Sequence, residues 1–204
     1  MPAVTADAWR TVPTLRGRQV SLEPMQPAHA DGLRAAAEDG ELWKLWYTNV
    51  PEPGQVEDWI AGALARQEVG EQFVFTVRDA GGRIAGSTRY YEILPDTPRV
   101  CIGYTWYARS VQRTGLNTEA KRLLLGHAFE ALDCASVGFH TSTHNAASRA
   151  AIARLGATEE GILRAHLRHR DGSLRDTVCF SILASEWPAV KAGLQAKLAA
   201  HGHG

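Results

Sequence analysis

The chain has 204 residues, enough for one well-buried domain or a domain with an extension. Lys plus Arg balance Asp plus Glu at 22 each, so no overall field draws it onto nucleic acid or an anionic membrane. Cys101, Cys134 and Cys179 are few, odd in number and without metal-type spacing, which fits a reduced compartment. "MPAVTADAWRTVPTLRGR" has no apolar run fit for a leader, and no later stretch suits a membrane span, so the expected location is cytoplasmic.

In chain order, residues 1–13 read as an extension, 14–198 as one domain, and 199–204 as a frayed tail. "RQVSLEPM" alternates as a first strand. "PAHADGLRAAAEDGELWKLWY" is helical with a break near Gly40, and "QVEDWIAGALARQEVG" turns Val56, Ile60, Ala63 and Leu64 to one side of a second helix. "QFVFTVRD" and "RIAGSTRYYEI" form a hairpin about Ala80-Gly81-Gly82. "RVCIGYTWYA" is a further strand, with Val100, Ile102, Tyr104 and Trp106 expected on one face.

"VQRTGLNTEAKRLLLGHAFEAL" supplies the central helix. Ala120, Leu124, Leu125, Ala128, Phe129 and Leu132 point inward, with Lys121, Arg122 and Glu130 away from them. "SVGFHTST" is a strand, and "NAASRAAIARLG" is a short helix capped by Asn145 and stopped at Gly156. Two strands about Asp171-Gly172 and a last helix complete an α/β chain, with a sheet covered by helices.

The start of the central helix raises a chemical question. Helix N-termini carry unpaired N–H groups and a partial positive charge, so a loop that turns those amides inward binds anions. Gly115 allows close approach, Thr114, Asn117 and Thr118 are small and polar, and Arg113 adds charge. An ordinary capped helix start fits the same residues. Neither G-x-G-x-x-G nor G-K-[ST] is present.

"QRTGLN" resembles the Q/R-x-x-G-x-G/A diphosphate loop of the GNAT acetyltransferases, with Asn117 in place of the last glycine or alanine. "THNAASRAAIARLGATEEGILR" and "YTWYARSVQRTGLNTEAK" resemble the branch that includes the ribosomal-protein N-terminal acetyltransferases (RimJ/RimL-type), over roughly residues 14–190. The resemblance implies a GNAT fold with a mixed sheet of about seven strands and a V-shaped split between the fourth and fifth, "CIGYTWYA" and "SVGFHTST". It implies acetyl-CoA as cofactor. The pantetheine arm would lie against Trp106, Tyr107 and Ala108 and be held by Asn145. The diphosphate would lie on the loop from Gln112 through Arg113, Thr114, Gly115, Leu116, Asn117 and Thr118. A side chain at Gly115 is expected to fill the place of a phosphate.

The implied reaction is acyl transfer to a primary amine, on a protein N-terminus or a small molecule. An amine is mostly protonated at neutral pH, so a base is required. Ser148 is the candidate proton donor to the leaving thiolate, with Tyr104 and Tyr107 as substitutes. Glu160 is the candidate base, with Glu159, Glu92 and His140 behind it. Trp43, Trp46 and Tyr47 are expected to wall the acceptor pocket, with Arg89 and Tyr91 facing them; an aromatic wall suits an apolar or cationic acceptor. Core packing explains at least one of the tryptophans equally well. A non-catalytic acyl-CoA sensor on the same fold is the competing reading. Homodimers are frequent among such proteins.

Other constellations carry less. His166 and His169 point to opposite faces of a strand, and His140 and His144 lack a third ligand nearby in sequence, so no metal is expected. Cys134 ends an apolar helix and reads as inert. "RAHLRHRDGSLR" is read as a solvated hairpin rather than an RNA surface.

Overall fold

Two strand-forming runs between Gln72 and Leu94, separated by the Ala80-Gly81-Gly82 turn and each buried over most of its length, fold as the expected hairpin of β3 (Gln72–Asp79) and β4 (Ile84–Leu94). The computed structural model describes residues 6–201. The remaining strands are β1 (Leu15–Arg16), β2 (Val20–Pro24), β5 (Arg99–Tyr107), β6 (Ser136–Ser142), β7 (Thr158–Arg168) and β8 (Leu174–Leu183). They form one eight-stranded sheet in the order β1-β2-β3-β4-β5-β6-β8-β7. The eighth strand is the two-residue β1, too short to give an alternating pattern of its own. Every neighbouring pair is antiparallel except β5 with β6.

The helices are α1 (Ala30–Glu38), α2 (Val56–Glu68), α3 (Leu116–Gly126), α4 (Ala146–Ala153) and α5 (Trp187–His201). α3 continues through a wider turn, where Leu132 N–H reaches the His127 carbonyl five residues back (3.0 Å). Apolar side chains cover both faces of the sheet. Val100, Ile102, Leu124, Leu125, Phe139 and Leu194 build the larger layer, beneath α3, α4 and α5. Leu33, Ala37, Ile60, Val74 and Trp106 build the smaller, beneath α1 and α2. Each fully buried Leu, Ile or Phe contributes about 1.5–3 kcal/mol, which makes these layers the main source of stability.

Two boundaries differ from the reading of the sequence. Ala8, Trp9 and Val12, placed in an extension, pack against the larger layer. The frayed tail was set to begin at 199, yet α5 runs to His201; residues 202–204 lie outside the described part, as do 1–5.

One expectation about β5 is overturned. Trp106 does not share a face with Val100 and Ile102; it packs into the smaller layer, and Tyr107 joins Val100 and Ile102 instead. The cause is a β-bulge. Arg89 pairs with Gly103 and Ser87 with Trp106, so two steps on β4 meet three on β5. The extra residue shifts the alternation by one and turns Tyr104 and Trp106 over. Tyr104 has φ 51°, a left-handed conformation that is costly for a bulky side chain and clusters at functional sites.

Opposite the bulge, Gly86 has φ +150°, and a Cβ there would stand 2.0 Å from the Trp106 carbonyl oxygen. Neither strand can move away without breaking the ladder. Gly86→Ala is therefore expected to destabilise the fold by about 2–4 kcal/mol in denaturant unfolding. An unchanged midpoint would show that the two strands are not held at this spacing.

Candidate functional site

The sheet opens where β5 and β6 part. They pair at Arg99–Ser136, Val100–Val137 and Cys101–Gly138, and at no residue beyond. From Ile102 onward β5 keeps β4 on one side and has no strand on the other. Between the two diverging strands lies a cavity of about 430 Å³, walled by Gly103 to Tyr107, Phe139 to Ser142 and the α4 residues Ser148 and Ile152. The loop before α3 stands at the same cavity, through Gln112 and Asn117.

That loop is built from the chain's own polar groups. Gln112 Nε2 donates to the Tyr107 carbonyl (2.9 Å). Thr114 Oγ1 donates to the Val111 carbonyl (2.7 Å) and accepts from Leu116 N–H (3.2 Å). Arg113 sits at φ 61°, which reverses the backbone. The first turn-closing bond of α3 is Glu119 N–H to the Gly115 carbonyl (2.9 Å). The N–H groups of Arg113, Thr114, Gly115, Asn117 and Thr118 make no hydrogen bond among the described residues. Five free amides at the start of an eleven-residue helix are the equipment of an anion site.

Gly115 has a different purpose from the one expected. A Cβ there would meet Gln19 Oε1 at 2.4 Å, so its bare side faces the β1–β2 turn rather than a bound anion. Glu119, one turn into α3 and buried, fastens that turn. Its carboxylate accepts from Arg18 N–H (3.0 Å) and Gln19 N–H (2.6 Å).

The comparisons agree with this geometry. The family profile described as Acetyltransferase (GNAT) domain matches residues 19–158. The chain belongs to the GNAT acetyltransferase family. The Bacillus subtilis (strain 168) protein "Putative ribosomal N-acetyltransferase YdaF" is 33% identical over 110 residues, 54% of this chain and 59% of its own length. This match therefore spans less than two thirds of that relative. A GCN5-related N-acetyltransferase from Brucella melitensis superposes with TM-score 0.82 at 31% identity, over 92% of this chain and 86% of that one. Mycobacterium smegmatis RimJ, in a complex with CoA-disulfide, has the same fold, with TM-score 0.76 at 24% identity over 93% and 96% of the two chains. Among the described residues no helix is long and apolar enough to cross a membrane.

Against the GNAT frame, Trp106, Tyr107, Gln112, Asn117, Asn145 and Ser148 all line the cavity. Asn145 caps α4, its Oδ1 accepting from Ser148 N–H (3.0 Å), which leaves its amide nitrogen free. Ala108 N–H is already taken by the Ala85 carbonyl (2.8 Å). Asn117 Oδ1 and Tyr107 Oη are buried without a partner. Burial raises the Tyr107 pKa far above that of a free phenol, so it keeps its proton.

Glu160 is not brought to this cavity. It lies on the outer strand β7, two strands from β6, and accepts from Ser181 Oγ (2.6 Å). The chain's order does not reveal this, because β8 inserts between β6 and β7. His140 on β6 does line the cavity, with Nδ1 3.6 Å from Glu92 Oε1. Burial lowers its pKa below the usual histidine value, against the opposing pull of Glu92. Glu92, Cys101 and His140 offer potential ligand atoms within 4.8 Å of one another, a third ligand that sequence spacing did not show. Arg99 Nη2 already stands 3.7 Å from both Cys101 Sγ and Glu92 Oε2 and supplies positive charge there.

The acceptor candidates separate. Tyr47 lines the cavity. Trp43 packs against the smaller apolar layer. Trp46 is partly exposed and meets His144 at a tilt and His169 edge-on, at 5.1 and 4.6 Å between ring centroids. Tyr91 stands edge-on to Tyr104 (5.4 Å) and His140 (6.0 Å). Arg89 lies in a second, adjoining cavity.

Lys121 was expected to point away from the core and does not. It is 6% exposed, lines the cavity, and donates from Nζ to Thr105 Oγ1 (2.8 Å), which is shared with Thr88 Oγ1. It lies one turn after Asn117, and the cavity interrupts the helix's packed face there. Burial without a carboxylate partner pulls its pKa down to about 7.

The sign of that shift has a measurable consequence. Between about pH 7 and 10.5 the unfolded chain binds a proton at Lys121 that the folded chain has released, so this group adds stability as pH rises through that window. Lys121→Met removes the contribution. The difference in unfolding free energy between the two proteins should favour the variant at pH 6–7 and shrink steadily towards pH 10. A flat difference would mean that the ammonium is not desolvated.

Proposed function

We propose that this protein is an acetyl-CoA-dependent N-acetyltransferase that modifies a primary amine. The five free amides at residues 113, 114, 115, 117 and 118, in a segment that borders the cavity of the parted strands through Gln112 and Asn117, carry this reading. They fit a diphosphate: the amides supply donors, the start of α3 supplies a favourable dipole, and no carboxylate lines the adjoining cavity among the described residues. Asn117, the free amide nitrogen of Asn145 and the unpaired β5 backbone would hold the amide-bearing arm of the coenzyme, as an added strand does. Bound there, the coenzyme supplies an activated acyl thioester.

The chain's own residues then have separate tasks. His140, neutral at neutral pH, takes a proton from the acceptor ammonium, and Glu92 stabilises the imidazolium that results. His140 replaces Glu160 as base because it borders the split and Glu160 does not. Ser148 has its N–H committed to Asn145 and its Oγ without a bonded partner, so the hydroxyl proton is available to a departing thiolate. A backbone N–H on the β5 edge that lines the cavity would answer the charge that develops on the carbonyl oxygen. The name carried by YdaF favours a polypeptide N-terminus as acceptor over a small amine.

An amine panel offered with acetyl-CoA and followed by a thiol reagent tests the proposal. Thiol release with at least one amine is expected. Coenzyme binding without release for any acceptor would make the protein a binding module. His140→Gln should lower kcat/KM about 100-fold while calorimetric coenzyme affinity stays unchanged, and full activity would return the base assignment to another group.

A further inference from the structure

Arg89 is a buried cation without an anion. It is 4% exposed, and its guanidinium carbon lies 4.6 Å from the centroids of both Trp59 and Tyr104, held between the two rings. Nη1 donates to Gln72 Oε1 (2.8 Å). Nε is fully buried without a partner, and Nη2 makes no hydrogen bond among the described residues. Among the described residues no carboxylate pairs with it. Desolvation lowers its pKa to about 10, so it remains charged at neutral pH. A guanidinium removed from water is unfavourable unless a charge or a set of acceptors answers it, and Gln72 answers one nitrogen.

The surroundings indicate where the answer comes from. Arg89 lines a cavity of about 540 Å³ on the α2 side of the sheet, which meets the first cavity at Asn49, Val50 and Tyr104. Arg66 and Arg170 also border it, but each has an acid: Glu71 at 3.7 Å and Glu52 at 2.9 Å. Asp58 is the one acid on its wall among the described residues. Arg175, in the first cavity, has a buried Nε with no partner. Basic side chains therefore outnumber acidic ones around the two adjoining cavities, which favours an anionic group on the acceptor over the apolar or cationic acceptor that the aromatic residues suggest. The rings of Trp59 and Tyr104, which also border the second cavity, are occupied by the protein's own cation.

We infer that the acceptor carries a carboxylate, which seats on Arg89 in the second cavity while its amine reaches His140 in the first. The inference rests on the acetyltransferase reading and adds to it the class of substrate. Within the second cavity Arg89 is the single guanidinium without an acid, which matches a single negative charge, and Asp58 on the wall disfavours a dianion such as phosphate. Tyr104 connects the two parts. Its left-handed backbone holds the ring against Arg89, and the same residue walls the coenzyme cavity. The carboxylate belongs either to a free amino acid or to an acidic residue near a peptide's N-terminus, and both offer the same chemistry to Arg89.

Two measurements test this. In the first, the intact protein is titrated with free aspartate and with Ser-Asp and Ser-Ala-Asp peptides amidated at the C-terminus, each against its asparagine counterpart. Asparagine amide serves as the uncharged counterpart of the free amino acid. The Arg89 Nε–H NMR resonance, identified by its loss in Arg89→Lys, is followed. At least one acid should move it saturably while its amide does not; no movement, or equal movement by the amide, overturns the inference. The member that binds distinguishes free amino acid from peptide.

In the second, the same pairs are compared as acceptors. The acid should exceed its amide at least about tenfold in kcat/KM, and that ratio should fall to about one in Arg89→Gln. A ratio of about one in the unaltered protein, or a ratio retained in the variant, also overturns it. Saturable acid binding without transfer to any amine would instead overturn the acetyltransferase reading and leave the carboxylate site standing.

Discussion

Everything at the site follows from the parting of β5 and β6 after three residue pairs. A sheet interior normally leaves no backbone unpaired, because each buried N–H or C=O without a partner costs free energy comparable to a lost hydrogen bond. Here β5 continues past Cys101 with one edge unpaired, beside a cavity. The bulge at Tyr104 accompanies the opening. It sends Trp106 to the α2 side, where the ring packs edge-on against Trp59 (6.0 Å), and leaves Tyr107 facing the larger apolar layer. Both faces of the strand remain anchored while its edge is free.

The unsatisfied groups then concentrate in one region. Asn117 Oδ1, Tyr107 Oη, Trp106 Nε1 and Arg175 Nε are buried and lack partners, and all four residues border the same cavity. Native interiors hold few such atoms, so their gathering at one place argues for a ligand rather than for poor packing. Lys121 belongs to the same set: among the described residues its one hydrogen-bond acceptor is the neutral hydroxyl of Thr105.

The sequence was most informative where one periodicity ran unbroken. β3 coincides with "QFVFTVRD", and the inward residues of α3 from Ala120 to Leu132 are buried as the helical spacing required. It misled where tertiary structure changed the count or the order. Nothing in "GYTW" signals that Tyr104 takes a positive φ, yet that single residue reverses the faces beyond it. Glu160 follows a strand that looks adjacent to the site, but β8 intervenes. Lys121 looked solvated because lysine usually is, and only the cavity under α3 makes its position an interior one. The loop from 112 to 118 could be recognised as a motif; that five of its amides are free, and that Gly115 faces Gln19, required coordinates.

The clasp of Glu119 on the backbone of Arg18 and Gln19 joins two parts of the chain that lie 101 and 100 positions apart. One end is the first hairpin of the sheet; the other is the helix whose opening turn presents the free amides. Whatever displaces residues 17–19 therefore also pulls on the opening turn of α3. The margin of the sheet and the free amides form one mechanical unit, although the chain between them is long.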